Sequence, residues 1–191
     1  MKIVIENDWT SFDAISGNIT ITVTEGLPPF APDDVFSGTV TQGDELTHEV
    51  SVPEWAGKTI IELWWTHNWS SYPTSDLDLI IVWDEGENFD GATFNSPERT
   101  VIYNPTTLTV VVVGYTIYTG TESFEARVYF YIIGDVDQNG KVDIIDLGIA
   151  ALAYGSYSEH DRWNPEADIN RDGKIDIIDL ALIAKHFGME K

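Results

Sequence analysis

Residues 135–146 read DVDQNGKVDIID, and thirty-three residues further on residues 168–179 read DINRDGKIDIID. Each copy carries oxygen-bearing side chains at loop positions 1, 3, 5 and 9, a Gly at 6 and an Asp at 12. A hard cation such as calcium takes about 6–8 oxygens, and a tight loop supplies most of them when ligands fall on alternate residues. In the first loop Asp135, Asp137 and Asn139 offer side-chain oxygens and Lys141 its backbone carbonyl, with the lysine side chain directed away. Asp143 acts directly or through water, and Asp146 reaches back from the first turn of a helix. The second loop maps these roles onto Asp168, Asn170, Asp172, Lys174, Asp176 and Asp179. Gly140 and Gly173 permit the sharp bend. Two bound calcium ions are expected. Four carboxylates crowd each site, so their repulsion without metal predicts that calcium binding and folding are coupled.

Behind each loop the apolar period becomes helical. VDIIDLGIAALAYG and IDIIDLALIAKHFG place apolar residues at i, i+3, i+4 and i+7 and stop on a Gly suited to a helix C-terminus. Leu147, Ala150, Ala151 and Tyr154 form the expected core face of the first helix, and Leu180, Ile183, Ala184 and Phe187 that of the second. The opposite stripes are Ile145, Ile149 and Leu152, then Ile178, Leu182 and Lys185. A small module cannot bury both helices all round, so these second stripes are expected as exposed apolar surface for a partner. An alternative is that one of them packs on the chain's own β half.

An EF-hand needs a helix leading into each loop. Upstream of Asp135 stands the strand-like FEARVYFYIIG, and upstream of Asp168 stands SEHDRWNPEA, whose Pro165 interrupts a helix. Each unit is therefore loop plus exit helix only. The paired units, the Asp at position 12 and WNPEADINRDGKIDIIDL resemble a type I dockerin across about residues 135–191, within a second domain expected at 133–191. The resemblance implies calcium-dependent binding to a cohesin module of a scaffolding protein. It also implies that Ile144, Ile145, Ile177 and Ile178, just after the ninth ligand, contribute to the choice of cohesin. Members of the family often carry a hydroxyl pair there, so the isoleucines suggest a more apolar interface.

Residues 1–132 have the look of an all-β half. NITITVTEG, ELTHEVSVP, TIIELWWTH, DLDLIIVWDEG, TLTVVVVGYTIYTG and FEARVYFYII are β-branched or aromatic runs separated by Pro, Gly, Asn and Asp clusters. The expected fold class is thus an all-β sandwich or jelly roll of about eight strands followed by a small all-α module with two calcium loop-helix repeats. LTVVVV and LIIVW are expected as central strands covered on both sides. FYIIGDVD leaves almost no linker, which predicts stiff coupling of the halves. Over roughly residues 30–132 the DLDL strand, SPERTVIYNP and VVVVGY resemble the bacterial pre-peptidase C-terminal (PPC) domain. That resemblance implies an appendage of a secreted peptidase that contacts substrate. Residues 1–29 are expected as extra strands or the tail of a preceding domain.

The charge narrows the partners. Thirty-two acids face ten bases, formally −22, so nucleic acid is excluded as a partner by repulsion and divalent cations are natural counter-ions. There is no run of 18 apolar residues to span a membrane. No cysteine is present, which removes disulfides and thiol chemistry. Catalysis is not expected of this chain: His48, His67, His160 and His186 are scattered, HEVSV is not a zinc-protease motif, and no nucleophile elbow occurs. KIVIENDW after Met1 lacks the features of a secretory signal. The chain is nevertheless expected to be the trimmed C-terminal part of a secreted enzyme. Trp64, Trp65 and Trp69 raise glycan binding by the β half as an alternative, with Trp64 and Trp65 facing opposite ways. Asp76, Asp78, Asp84 and Asp90 raise a separate calcium site.

Overall fold

The computed structural model describes residues 30–66, 73–93 and 96–191. Its strands are β1 (Asp34–Val40), β2 (Glu45–Val50), β3 (Ala56–Trp65), β4 (Asp76–Trp83), β5 (Gly86–Gly91), β6 (Glu98–Tyr103), β7 (Leu108–Thr116) and β8 (Glu122–Ile132). The helices are α1 (Ile144–Ala153) and α2 (Ile177–Lys185). NITITVTEG, His67 and Trp69 lie outside the described residues.

The strands form two antiparallel four-stranded sheets, ordered β1-β8-β3-β6 and β2-β7-β4-β5. Both contribute to one apolar cluster: Val40, Leu63, Ile102, Phe124 and Val128 from the first, Val50, Leu79, Ile81, Val110 and Val112 from the second. Period-2 alternation explains this. In β7 Leu108, Val110 and Val112 are buried while Thr109, Val111 and Val113 are half-exposed, so this all-apolar strand is central in its sheet but covered on one face only. Trp65 turns into the core and donates its indole N–H to the Ser75 carbonyl at 3.0 Å, whereas Trp64 faces outward beneath the Arg127 guanidinium.

The expectation of a sandwich or jelly roll followed by a small all-α module is overturned. The chain is mostly β-sheet in two four-stranded sheets, and its only α-helices among the described residues are two short ones, of 10 and 9 residues. Most of residues 133–191 is loop and turn, with a three-residue 3-10 turn at Pro165–Ala167 and isolated bridges Lys141–Glu190 and Tyr157–Lys174. The physical reason is local. Each metal-type loop spends its residues on turns, and each helix stops early: Tyr154 is already extended at φ −53°, ψ 134°. The helical wheel therefore misplaces the core. Ala150 and Ile183 are buried and Leu147 and Leu180 pack against them, but Ala153 replaces Ala151, and Tyr154 and Phe187 are 46% and 53% exposed. No helix among the described residues is long and apolar enough to cross a membrane.

The C-terminal segment is tied to the β body at several points. Ile132 belongs to the segment's core, and Trp55 packs against both apolar clusters. Lys58 donates to Glu166 at 2.9 Å, and the Arg171 guanidinium lies 3.5 Å from the Tyr103 ring centroid. Lys191 donates to Asp33 at 2.5 Å and to the Phe130 carbonyl at 2.8 Å, while Phe30 lies over Gly140 of the first loop. At the junction Gly134 has φ 91°, and a Cβ there would come 3.0 Å from the Ile183 backbone. Gly134→Ala should therefore destabilise the chain by roughly 1–3 kcal/mol, read from chemical denaturation followed by tryptophan fluorescence. An unchanged midpoint would show that α2 does not press on the junction.

Candidate metal centre

The two loops are built alike, bond for bond. In the first, Asp135 accepts from the N–H groups of Asn139 (3.1 Å) and Gly140 (2.9 Å). Asp146 accepts from Val136 (2.7 Å), Asp137 (3.2 Å) and Asp143 (2.8 Å). In the second, Asp168 accepts from Asp172 (3.2 Å) and Gly173 (3.0 Å), and Asp179 from Ile169 (2.9 Å), Asn170 (3.3 Å) and Asp176 (2.8 Å). The sequence reading missed a second duty of these acids. Asp143 and Asp176 are the N-caps of α1 and α2, closed by Asp146 and Asp179 in capping boxes. An Asp followed three residues later by an Asp was the available signal. A ligand set that also caps a helix makes loop and helix one unit.

The chain after each helix braces the other loop. Val142 exchanges backbone bonds with Gly188 and Met189, and Ile175 with Gly155 and Ser156. Val142 and Ile175 are fully buried, which fixes the backs of the loops against the segment's core.

Asp135, Asp146, Asp168 and Asp179 are buried, and among the described residues none of them is in an ion pair. Burial pushes the Asp135 carboxyl up to about 6 against the pull of the Gly140 and Asn139 N–H groups, with Asp146 and Asp137 adding repulsion. Burial also raises Asp168. Carboxylate oxygens of Asp135, Asp137 and Asp146 lie within 4.8 Å of one another. Carboxylate oxygens gathered this closely, with no basic side chain paired to them among the described residues, are a donor set that fits a hard divalent ion.

The loops also differ. The Lys141 side chain points away from its loop, onto Glu190 at 2.9 Å. Lys174 does not: its ammonium lies 2.9 Å from Asp176 and 3.5 Å from Asp172, on the second loop's own acids. Asn170 stands where the first loop has Asp137, and Asp172 where it has Asn139, so each loop keeps four carboxylates with the amide moved by two positions.

Residues 133–188 match the family model described as "Dockerin type I domain". These residues form a type I dockerin domain. Dockerin domains bind calcium, in line with the acidic groups gathered here. Among curated proteins no match is found. The crystal structure of Aeromonas hydrophila PliG, a periplasmic lysozyme inhibitor of g-type lysozyme, is similar at 10% identity. The likeness covers 52% of this chain and 88% of that one with a TM-score of 0.31, and nothing follows from it.

The expected partner residues separate into two groups. Ile144 and Ile177 are 69% and 65% exposed, Ile145 and Ile178 are 53% and 49%, and Leu152 and Lys185 are exposed. Ile149, expected on the same stripe, instead packs against the dockerin core, because Ala150 and Ala153 are too small to fill the face alone. Leu182 is half-buried.

Of the β-half acids, Asp76 and Asp78 do gather, with Glu98 as the third member that sequence reading missed. Asp84 instead accepts from the Thr106 N–H at 2.9 Å and the Thr107 N–H at 3.4 Å, and Asp90 bonds to Asn88. Glu98 is buried in the sheet, accepting from Leu79 (2.7 Å) and Thr93 (2.6 Å). Burial pushes its carboxyl up to about 8, aided by Asp78 and opposed by those N–H groups.

Two measurements follow. Excess EDTA should reduce the far-UV helical signal, and calcium at a hundredfold its dissociation constant should add about 2.7 kcal/mol of stability per occupied loop. Asp146→Ala should lose part of that gain; circular dichroism unmoved by chelation would contradict the assignment. Glu98 is protonated in the fold below about 8 and unfolded below about 4.5. Its contribution is therefore present below the lower value and is lost as pH rises through the upper one. Thermal melts of calcium-loaded Glu98→Gln should fall less steeply with pH across that window than melts of the parent.

Proposed function

We propose that this chain is the non-catalytic C-terminal region of a secreted enzyme, anchored to a cohesin-bearing scaffold by its calcium-dependent dockerin domain. The observation that carries the reading is the dockerin match over residues 133–188, together with isoleucine pairs left open at both helix starts. Dockerin domains bind cohesin modules and are typical of secreted or extracellular proteins. Two calcium ions, one per loop, would be held by Asp135, Asp137, Asn139, the Lys141 carbonyl, Asp143 and Asp146, and by their counterparts from Asp168 to Asp179. Calcium would neutralise each buried acidic set, and the chain's own residues would then present the recognition surface.

The contact is expected on Ile144, Ile145 and Leu152 or on Ile177, Ile178 and Lys185. α1 and α2 point these residues to solvent, and the β body reaches the dockerin at the loops and the 3-10 turn. Exposed apolar side chains in a chain of net charge −22 favour a partner with an apolar patch rather than one bound by charge. We read the β body as PPC-like on the strands from DLDL to VVVVGY, and the parent as a peptidase.

A second reading has its own support: the ties from Lys58, Tyr103 and Asp33 to the dockerin suit a calcium-stabilised module that serves its own β body. Calorimetry against a panel of cohesin modules, with calcium and with EDTA, separates the two. The scaffold reading expects calcium-dependent binding that weakens at least about tenfold when Ile145 and Ile178 are both changed to Asp. No binding to any cohesin, with calcium still raising the melting temperature, would favour the structural role.

A further inference from the structure

A cleft of about 360 Å³ opens between the two sheets and the second calcium loop. Strands β5 and β6 are the adjoining edges of their respective sheets, so the opening lies where neither sheet continues. Trp83, Glu85 and Asn88 line one side, Tyr103 and Asn104 another, and Asn170 and Arg171 of the loop complete it. We propose that this cleft binds a neutral carbohydrate, one or two sugar units of an oligosaccharide chain, and that the calcium loop supplies one of its walls.

The lining selects the ligand class. The half-exposed rings of Trp83 and Tyr103, the latter with one face under Arg171, offer apolar surface for the C–H face of a sugar ring. Glu85 offers acceptors, and the amides of Asn88, Asn104 and Asn170, each already bonded once through its NH2 to Asp90, the Ile169 carbonyl or Asp172, keep a second N–H for hydroxyl groups, which both donate and accept. The charges present do not ask for an ion. Arg171 is already engaged: it stacks on Tyr103, donates to the Pro165 carbonyl at 2.5 Å and lies 3.9 Å from Glu166. Glu85, in the β4–β5 turn, is in no ion pair among the described residues and is free to accept from hydroxyls. A nucleotide or other polyanion would meet Glu85 and the acidic loop. A purely apolar ligand would desolvate Glu85 without giving it a partner. The volume falls at the small end of ligand sites, suited to a short stretch of chain and not to a buried cofactor.

The repeat shows why the site belongs to the second loop alone. Position 4 of each loop takes a left-handed backbone, Gln138 at φ 60° and Arg171 at φ 58°. Only Arg171 reaches Tyr103, and the adjoining Ile169 carbonyl accepts from the Asn104 amide at 3.5 Å. Calcium in that loop would fix Asn170 and Arg171 against the β body, so sugar affinity and calcium affinity should be linked, each raising the other.

The test uses the full chain, titrated with xylohexaose, cellohexaose and mannohexaose and followed by tryptophan fluorescence and calorimetry. The expected result is saturable binding to at least one of them, weakened about tenfold or more by Tyr103→Ala and by Glu85→Gln, and weakened by EDTA. Trp83 also packs on the core, so Trp83→Phe, which keeps that packing, replaces a truncation there; circular dichroism in calcium checks that each variant folds. Binding to none of the three sugars overturns the proposal. So does sugar binding that neither Tyr103→Ala nor Glu85→Gln changes, and so does exclusive binding of a lysine-rich peptide. Cohesin binding is read separately and does not enter these outcomes.

Discussion

Four aspartates are buried in the dockerin domain with none of them in an ion pair among the described residues, and the rest of that domain is arranged around this constraint. Asp135, Asp146, Asp168 and Asp179 each hold backbone N–H groups that shape a loop, so they cannot simply be turned outward. Two of them, Asp146 and Asp179, also join Asp143 and Asp176 in the capping boxes of the only two α-helices among the described residues. Cation, loop and helix are therefore one cooperative unit. Neutralising the acids organises the backbone, and the organised backbone aims the isoleucines that follow it.

The β body solves a different problem. It has the apolar residues to close a core between two sheets by alternation alone, and it meets the acidic domain through a few specific ties. Lys58, Arg171 and Lys191 carry much of that joint, three of only ten basic residues in the chain. In a molecule so poor in positive charge, their placement at the seam offsets the repulsion between two acidic halves.

The metal loops were legible because their information is local: oxygen ligands on alternate residues, a glycine at the bend and the same pattern twice. The main strands were legible from β-branched runs, while β5, the polar edge strand GENFDG, gave little signal. The helical wheel misplaced Tyr154 and Phe187 because periodicity does not register where a helix ends. Tertiary pairings were out of reach. Nothing in SPERTVIYNP distinguishes the buried Glu98 from a solvated turn residue, and Arg171 has the appearance of an ordinary loop cation until Tyr103 is seen beneath it. The expectation of a separate all-α module failed for the same reason: the loops, not the helices, account for most of the segment's length and for much of its contact with the β body.

Strand β8 runs straight into the first calcium loop through Gly134, and it is also the strand flanked by β1 and β3 in its sheet. A pull on the dockerin domain would therefore be transmitted along the axis of an interior strand. Its ladder bonds on both sides would be loaded in parallel, sliding against the pull together and not opening one after another from an end. Lys191 adds a second anchorage, beside the start of β1, through Asp33. The junction is thus formed as a mechanical splice, able to bear tension between whatever holds the C-terminal domain and whatever the β body carries.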